Sequence, residues 1–261
     1  MDLTIEAISF LIATAFVAGS IDALAGGGGL LTIPALMSVG IPPVAAIATN
    51  KLQGMFGTGS AVIAYWRAGR IDFKAFAIPV AGAFLGSMAG AFAVQRIDSG
   101  FLAAVVPVLL VAMALYYLLA PPMGDVDRHA RLGRTGLSLV CAAIGFYDGF
   151  FGPGTGSFLT TALVALGGLG LVRAIANTKF INFATNVAGL SAMILGGKVL
   201  WMLGFGMAVA NIAGNQLGAW FAIRHSGRGA RPLLVIMSIA LTIKLLADPK
   251  NPLWTILKGG F

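Results

Sequence analysis

Residues 19–54 of this chain recur, in altered form, as residues 145–182. The first copy reads GSIDALAGGGGLLTIPAL (19–36) and then AIATNKLQG (46–54). The second reads GFYDGFFGPGTGSFLTT (145–161) and then AIANTKFIN (174–182). Each places an Asp just before a glycine cluster and a Lys inside an apolar segment. Asp22 corresponds to Asp148, and Lys51 to Lys179. At an offset of 128 the match continues: Gly69-Arg70 meets Gly197-Lys198, Gly86 meets Gly214, Gly90 meets Gly218 and Arg96 meets Arg224. At the Asp the offset is 126. The matches fall on Asp, Lys, Arg and Gly rather than on Leu or Ala, so they mark a duplication. The chain must therefore build one arrangement twice.

Composition sets the solvent. Charged residues make up 10% of the 261 and apolar residues 58%, against about 25% charged in an ordinary soluble domain. Such a chain cannot cover itself with polar groups, and lipid is its expected surroundings. Its 36 glycines are roughly twice the usual share of about 7%, which suits close helix contacts in a bilayer. Apolar runs at 44–64, 75–94, 101–119, 171–194, 201–222 and 232–247 approach the ~20 residues a spanning helix needs. Two regions depart from that template. Residues 5–18 and 30–40 read as short arms around Ser20, Asp22 and Gly26 to Gly29, and 135–147 with 157–166 as their counterparts. The expected fold is an all-α polytopic membrane protein: repeat 1 over 1–119, a cytoplasmic linker over 120–134 and repeat 2 over 135–261. Discontinuous, re-entrant short helices are expected at the glycine loops. The start of the chain lacks the basic residues of a signal peptide and reads as mature protein.

Loop charge predicts orientation. Arg67, Arg70 and Lys74 make 66–74 basic; Arg128, Arg131 and Arg134 do so for 120–134, and Arg224, Arg228 and Arg231 for 223–231. Loops 95–100 and 195–200 are weakly charged. Basic loops face the cytoplasm, so equivalent loops fall on opposite sides and the repeats are inverted. This orientation leaves Lys250 and Lys258 outside. The formal charge of +8 sits in these loops and does not indicate nucleic acid. Trp66, Trp201 and Trp254 lie near segment ends, as interface anchors do. His129 and His225 lie in basic loops.

Apart from Glu6 at the start of the chain, Asp22 and Asp148 are the only acidic residues within the apolar segments. A carboxylate at the bilayer centre costs at least ~2.5–3.5 kcal/mol, so each requires a partner or a proton. Two readings stay open: they cap broken helices by accepting backbone N–H bonds, or they titrate and couple transport to protons. Lys51 and Lys179 are the available counter-charges, set in Thr49-Asn50-Lys51 and Asn177-Thr178-Lys179. They form a buried brace between halves, or they bind an anion. Glycine-rich segments opening into helices, at about Leu30 and Ser157, would offer free N–H groups and positive dipole ends to such an anion. The expected substrate-binding set is Gly26, Gly27, Gly28, Gly29, Thr49, Asn50, Lys51, Gly154, Thr155, Gly156, Ser157, Asn177, Thr178 and Lys179. Asp22 and Asp148 are the expected proton-coupling pair. Gln53, Asn182, Thr185 and Asn186 are polar neighbours; Asn211, Asn215 and Gln216 read as interhelical hydrogen bonders. No nucleophile, metal-ligand or nucleotide motif is present. Neither enzyme activity, a metal nor a cofactor is expected.

The motifs IDALAGGGGLLTIPAL, GIPPVAAIATNKLQG, AYWRAG, GFYDGFFGPGTGSFL and RAIANTKFINFATN resemble the TauE/SafE sulfite exporter family, also called the 4-toluene sulfonate uptake permease family, from about Phe10 to Leu246. The resemblance implies a bacterial inner-membrane permease of duplicated halves. Its implied substrates are sulfite, sulfoacetate and other small sulfur oxyanions or organosulfonates. The combined expectation is a secondary transporter of small anions working by alternating access, with protons as the coupling ion. Alternatives are a channel-like facilitator and, from another class, a membrane scaffold or enzyme. The bilayer and a small anion are the expected partners, with no nucleic acid and with an oligomer left open.

Overall fold

The computed structural model describes residues 3–119 and 126–225, together with residue 243. Nine helices account for most of them: α1 (Ile5–Ala25), α2 (Gly29–Ser38), α3 (Pro43–Arg67), α4 (Phe73–Val94), α5 (Ser99–Leu119), α6 (Arg134–Phe150), α7 (Thr155–Ala165), α8 (Leu171–Leu195) and α9 (Trp201–His225). No strand occurs among the described residues. Apart from residue 243, the expected run at 232–247 lies outside them, as do Arg228, Arg231, Lys250, Lys258, Trp254 and the side chain of His225. Arg224 lies 4.8 Å over the Trp220 ring.

Local chemistry sets the helix ends. Thr4 caps α1 by accepting from the Ala7 N–H at 3.2 Å, and Asp72 caps α4 by accepting from Ala75 at 2.8 Å. Pro43 opens α3 at a position where a missing N–H costs nothing. Helices α3 and α8 both stop at a left-handed glycine, Gly69 (φ 66°) and Gly197 (φ 63°). In both, the next N–H reaches back five residues, from Arg70 to Tyr65 and from Lys198 to Met193. This is the Schellman closure, which needs a residue free to adopt positive φ.

One expectation requires correction. The arms before each glycine cluster are not short. Helix α1 runs unbroken through Ser20 and Asp22 to Ala25, and α6 runs through Asp148 to Phe150. The break falls after each Asp, not around it. At 1.5 Å per residue α1 is about 31 Å long, and residues 5–24 and 73–94 are long and apolar enough to cross a membrane. Helices α3, α8 and α9 have 25 residues each, but polar side chains interrupt their apolar runs. Helices α2 and α7, of 10 and 11 residues, reach only about 15–17 Å.

Packing is similar in the two segments that resemble each other. Helix α1 lies along α9 as α6 lies along α4, and α3 meets α9 as α8 meets α4. The most extensive helix contacts all join residues before 120 to residues after 133, so the halves interlock. Glycines make this contact. A methyl group on Gly86 or Gly90 would lie 2.1 or 2.0 Å from the carbonyl oxygen of Ala142 or Phe146. On Gly214 or Gly218 it would lie 2.0 or 2.1 Å from that of Phe16 or Ser20. From the other side, Gly149 stands against the Ser87 carbonyl with only 1.8 Å for a methyl. Backbone therefore meets backbone, the geometry by which helices associate without a hydrophobic driving force.

The polarity is that of a chain in lipid. Ile63, Ile78, Leu85, Leu139, Val209 and Leu217 face outward, while Thr49, Lys51, Gln53, Asn177, Lys179 and Asn215 are buried. The linker docks on the turn between α7 and α8. Arg128 donates its N–H to Gly168 at 2.7 Å, and Arg131 donates to Leu166 at 2.9 Å. Asp127 accepts from the Gly170 N–H at 2.6 Å and pairs with Arg173. The Gly170 bond, with Arg173 beside it, holds the Asp127 carboxyl below the usual carboxylate range.

Gly149→Ala and Gly86→Ala should each lower the melting temperature of the purified protein in detergent, with a loss of at least ~1–3 kcal/mol from overpacking. Gly206→Ala, in the interior of α9 where a methyl meets no atom within 4 Å, should not lower it, since alanine favours the helix over glycine.

Candidate functional site

Asp22 and Asp148 occupy the last turns of α1 and α6, where each helix opens into its glycine loop. Both are paired, and the pairs cross between the halves. Lys51 on α3 donates to Asp148 Oδ2 at 2.5 Å. Lys179 on α8 donates to Asp22 Oδ2 at 2.7 Å and to the Asp22 main-chain carbonyl. The lysine side chains are 1% and 0% exposed, those of Asp148 and Asp22 3% and 14%. Asp22 Oδ1 also accepts the N–H groups of Gly27 at 3.0 Å and Gly28 at 3.2 Å. Asp22 thus both caps the break before α2 and counters Lys179. Buried charge is held only when paired and hydrogen-bonded, and these contacts meet that condition for all four groups.

Between the pairs lies a polar cavity of about 40 Å³, room for a few waters. Both carboxylates line it, with Gly27, Gly28 and Gly29 from one loop and Gly152, Gly154, Thr155 and Gly156 from the other. Helix α3 adds Asn50, Gln53, Gly54 and Thr58; α8 adds Asn182 and Asn186; α9 adds Asn211. Positions 50, 53, 54 and 58, like 182 and 186, share one helix face. The N–H groups of Gly29, Gly154 and Gly156 donate to no acceptor among the described residues. Asn50 accepts from Thr32 at 2.5 Å and from Gln53 at 3.0 Å. Asn211 donates to the Ala15 carbonyl at 3.1 Å, and its side chain lies where a methyl on Gly57 would stand, 1.6 Å away.

The structure sorts the residues that the sequence marked for binding. Gly27, Gly28, Gly29, Asn50, Gly154, Thr155 and Gly156 line the cavity with both carboxylates. Lys51 and Lys179 do not; they engage the carboxylates from beyond its wall. Gly26 is pressed against the other loop, where a methyl would lie 2.5 Å from the Gly156 Cα, and Ser157 donates to the Gly26 carbonyl at 3.0 Å. Thr49 accepts from the Leu200 N–H at 3.4 Å. Thr178 takes a hydrogen bond from Thr160 at 3.1 Å. Asn177 braces the basic loop, accepting from the Asp72 N–H at 3.1 Å. Helix starts fall at Gly29 and Thr155, one and two residues before those expected. Thr58 and Gly54 went unmarked, although the spacing from Asn50 through Gln53 to Thr58 carried the signal. Among the described residues no cluster of His, Cys, Asp or Glu could hold a metal.

A buried, charge-bearing constellation inside a helical bundle with an apolar exterior fits a helical membrane protein. The model of the sulfite exporter TauE/SafE family matches residues 11–245, and the chain belongs to that family. It is 45% identical over 253 residues to a protein of Sinorhizobium named as the probable membrane transporter ORF9, covering 97% of both chains. It is 43% identical over 250 residues to a probable membrane transporter of Haemophilus influenzae, covering 95% of this chain and 98% of the relative. It is 42% identical over 242 residues to the probable membrane transporter YfcA of Escherichia coli, covering 92% and 90%. No solved structure matches the chain.

Lys51→Ala leaves Asp148 buried without its partner and should cost ~3–5 kcal/mol. Lys51→Ala with Asp148→Ala removes both charges and should recover most of that loss. Melting curves of the four proteins of this cycle in detergent read the coupling.

Proposed function

We propose that the protein is a multi-pass inner-membrane secondary transporter of small anions, sulfite or a small organosulfonate, working by alternating access with proton coupling. The observation that carries this reading is the pair of crossed ion pairs bordering one polar cavity. With all four groups ionised their charges cancel, and an anion gains nothing from them. The cavity then offers it amides, hydroxyls and the N–H groups of Gly29, Gly154 and Gly156. Protonating one carboxylate leaves its lysine uncompensated and brings the net charge to +1. Anion binding and proton uptake thus favour each other by reciprocal linkage.

The same step bears on motion. Each ion pair ties one half to the other, so neutralising a carboxylate weakens a bond between the bodies that alternating access must move. Inverted repeats, with α1–α2 and α6–α7 as broken pairs meeting near the midplane, are part of this reading. They place the cavity where discontinuous helices form sites in transporters. The family description and the names of the relatives support transport rather than catalysis.

Uptake into proteoliposomes, compared for sulfite, sulfoacetate, taurine, sulfate and thiosulfate with and without a pH gradient, tests the reading. The expected result is saturable flux of one or more sulfur oxyanions, with counterflow and acceleration by a proton gradient. Asp22→Asn combined with Asp148→Asn should abolish the pH dependence. Flux without saturation or counterflow would make the protein a channel, and pH dependence surviving in the double variant would remove the carboxylates from coupling.

A further inference from the structure

The two crossed pairs differ in how firmly each carboxylate is held. Asp22 takes two backbone N–H donors on Oδ1 and the Lys179 ammonium on Oδ2. Asp148 takes one donor, the Lys51 ammonium on Oδ2, and no backbone N–H among the described residues. The reason is written in the second glycine loop. At the offset of 126 that relates the two Asp residues, Gly27 corresponds to Pro153. Proline has no N–H, so the bond that Gly27 makes to Asp22 cannot be made to Asp148. Gly28 corresponds to Gly154, which turns to φ 84° where Gly28 has φ −51°. Beside them, Gly152 leaves bare backbone against the pair: a methyl there would lie 3.4 Å from Lys51 Nζ and 3.5 Å from Asp148 Oδ1.

The charged surroundings are sparse. Lys51 from α3 is the cation on Asp148, and Asp22 from α1 shares its cavity. Helices α2, α5 and α7 carry no charged residue, and α4 carries only Lys74 in its first turn. On α8, Lys179 and Arg173 are engaged by Asp22 and Asp127. On α9, Arg224 lies over Trp220, and Arg134 sits at the opposite end of α6.

We propose that the halves have divided the proton chemistry: Asp148 exchanges a proton with the cavity, while Asp22 stays ionised as the anchor of Lys179. Protonating Asp22 would weaken three charge-assisted hydrogen bonds, and protonating Asp148 only one. In the step itself, a proton from cavity water joins the Asp148 carboxylate. Lys51 keeps its own protons and loses its counter-charge. This deepens the proton-coupled reading above and rests on it for its transport meaning, but the site of protonation can be read without substrate.

The test is an infrared pH titration of full-length protein in liposomes with no anion substrate added. Acidification should raise the C=O band of a protonated carboxyl in the wild type. Among the carboxyl bands of the nine acidic residues, one should be missing in Asp148→Asn and retained in Asp22→Asn. Pro153→Ala restores an N–H donor and leaves both ion pairs in place. It favours the ionised carboxylate and should move the midpoint of the band by about one pH unit toward acid. Loss of the band in Asp22→Asn with retention in Asp148→Asn, an unmoved midpoint in Pro153→Ala, or no such band in the wild type would each overturn the assignment. A band that behaves as expected in a protein without proton-coupled flux would sink the transport reading and leave the assignment standing.

Discussion

Four buried charges impose the central constraint on this molecule. A lysine or aspartate set singly within an apolar bundle costs several kcal/mol, and the chain sets two of each there. The cost is offset only because each lysine reaches a carboxylate on the opposite half. Lys51 finds Asp148 97 residues away, and Lys179 finds Asp22 157 residues away. Neither half could bury its own charges alone in this arrangement. The ion pairs therefore act as a specification of the interlocked fold as much as a source of its stability, and they place the carboxylates at the wall of one cavity.

The glycines make that crossing geometrically available. Helix α6 approaches α4 at Gly86, Gly90, Gly145 and Gly149, and α1 approaches α9 at Gly19, Gly214 and Gly218. These contacts hold the last turns of α1 and α6, with their aspartates, close enough to the centre for lysines on α3 and α8 to span the gap. Close backbone packing and the electrostatics are thus one design: widening the first would stretch the second.

Much of this was legible in the residues, and the reasons for the rest are physical. The helical class could be read from the apolar runs, and the pairing of buried Asp22 and Asp148 with lysines could be read because charge inside an apolar segment is costly and so rarely incidental. Helix breaks were misplaced because Ser20 and Asp22 look like breakers in isolation. Tertiary contact with α9 carries α1 through them, and Asp22 turns its acceptor oxygens to the amides that follow. The crossed pairing was not legible, since spacing along a chain does not say which of two lysines a carboxylate meets. Nor was the sorting of polar residues. Asn177, Thr178 and Asn50 look alike beside a lysine, yet Asn177 braces the basic loop, Thr178 bonds to Thr160 and Asn50 faces the cavity. One step along a helix turns a side chain by about 100°, which is enough to change its role.

The contact of Gly26 with Gly156 has a consequence for how such a chain can change over time. After a duplication, the two copies are usually free to drift apart position by position. Here the loop of one copy is the packing surface of the other, with no side chain between them. A mutation at either position is judged by the backbone of the other half, and at Gly26 also by its own left-handed φ of 68°. The two positions therefore constrain each other. The halves can specialise around that site, as Pro153 opposite Gly27 illustrates, but they cannot part there.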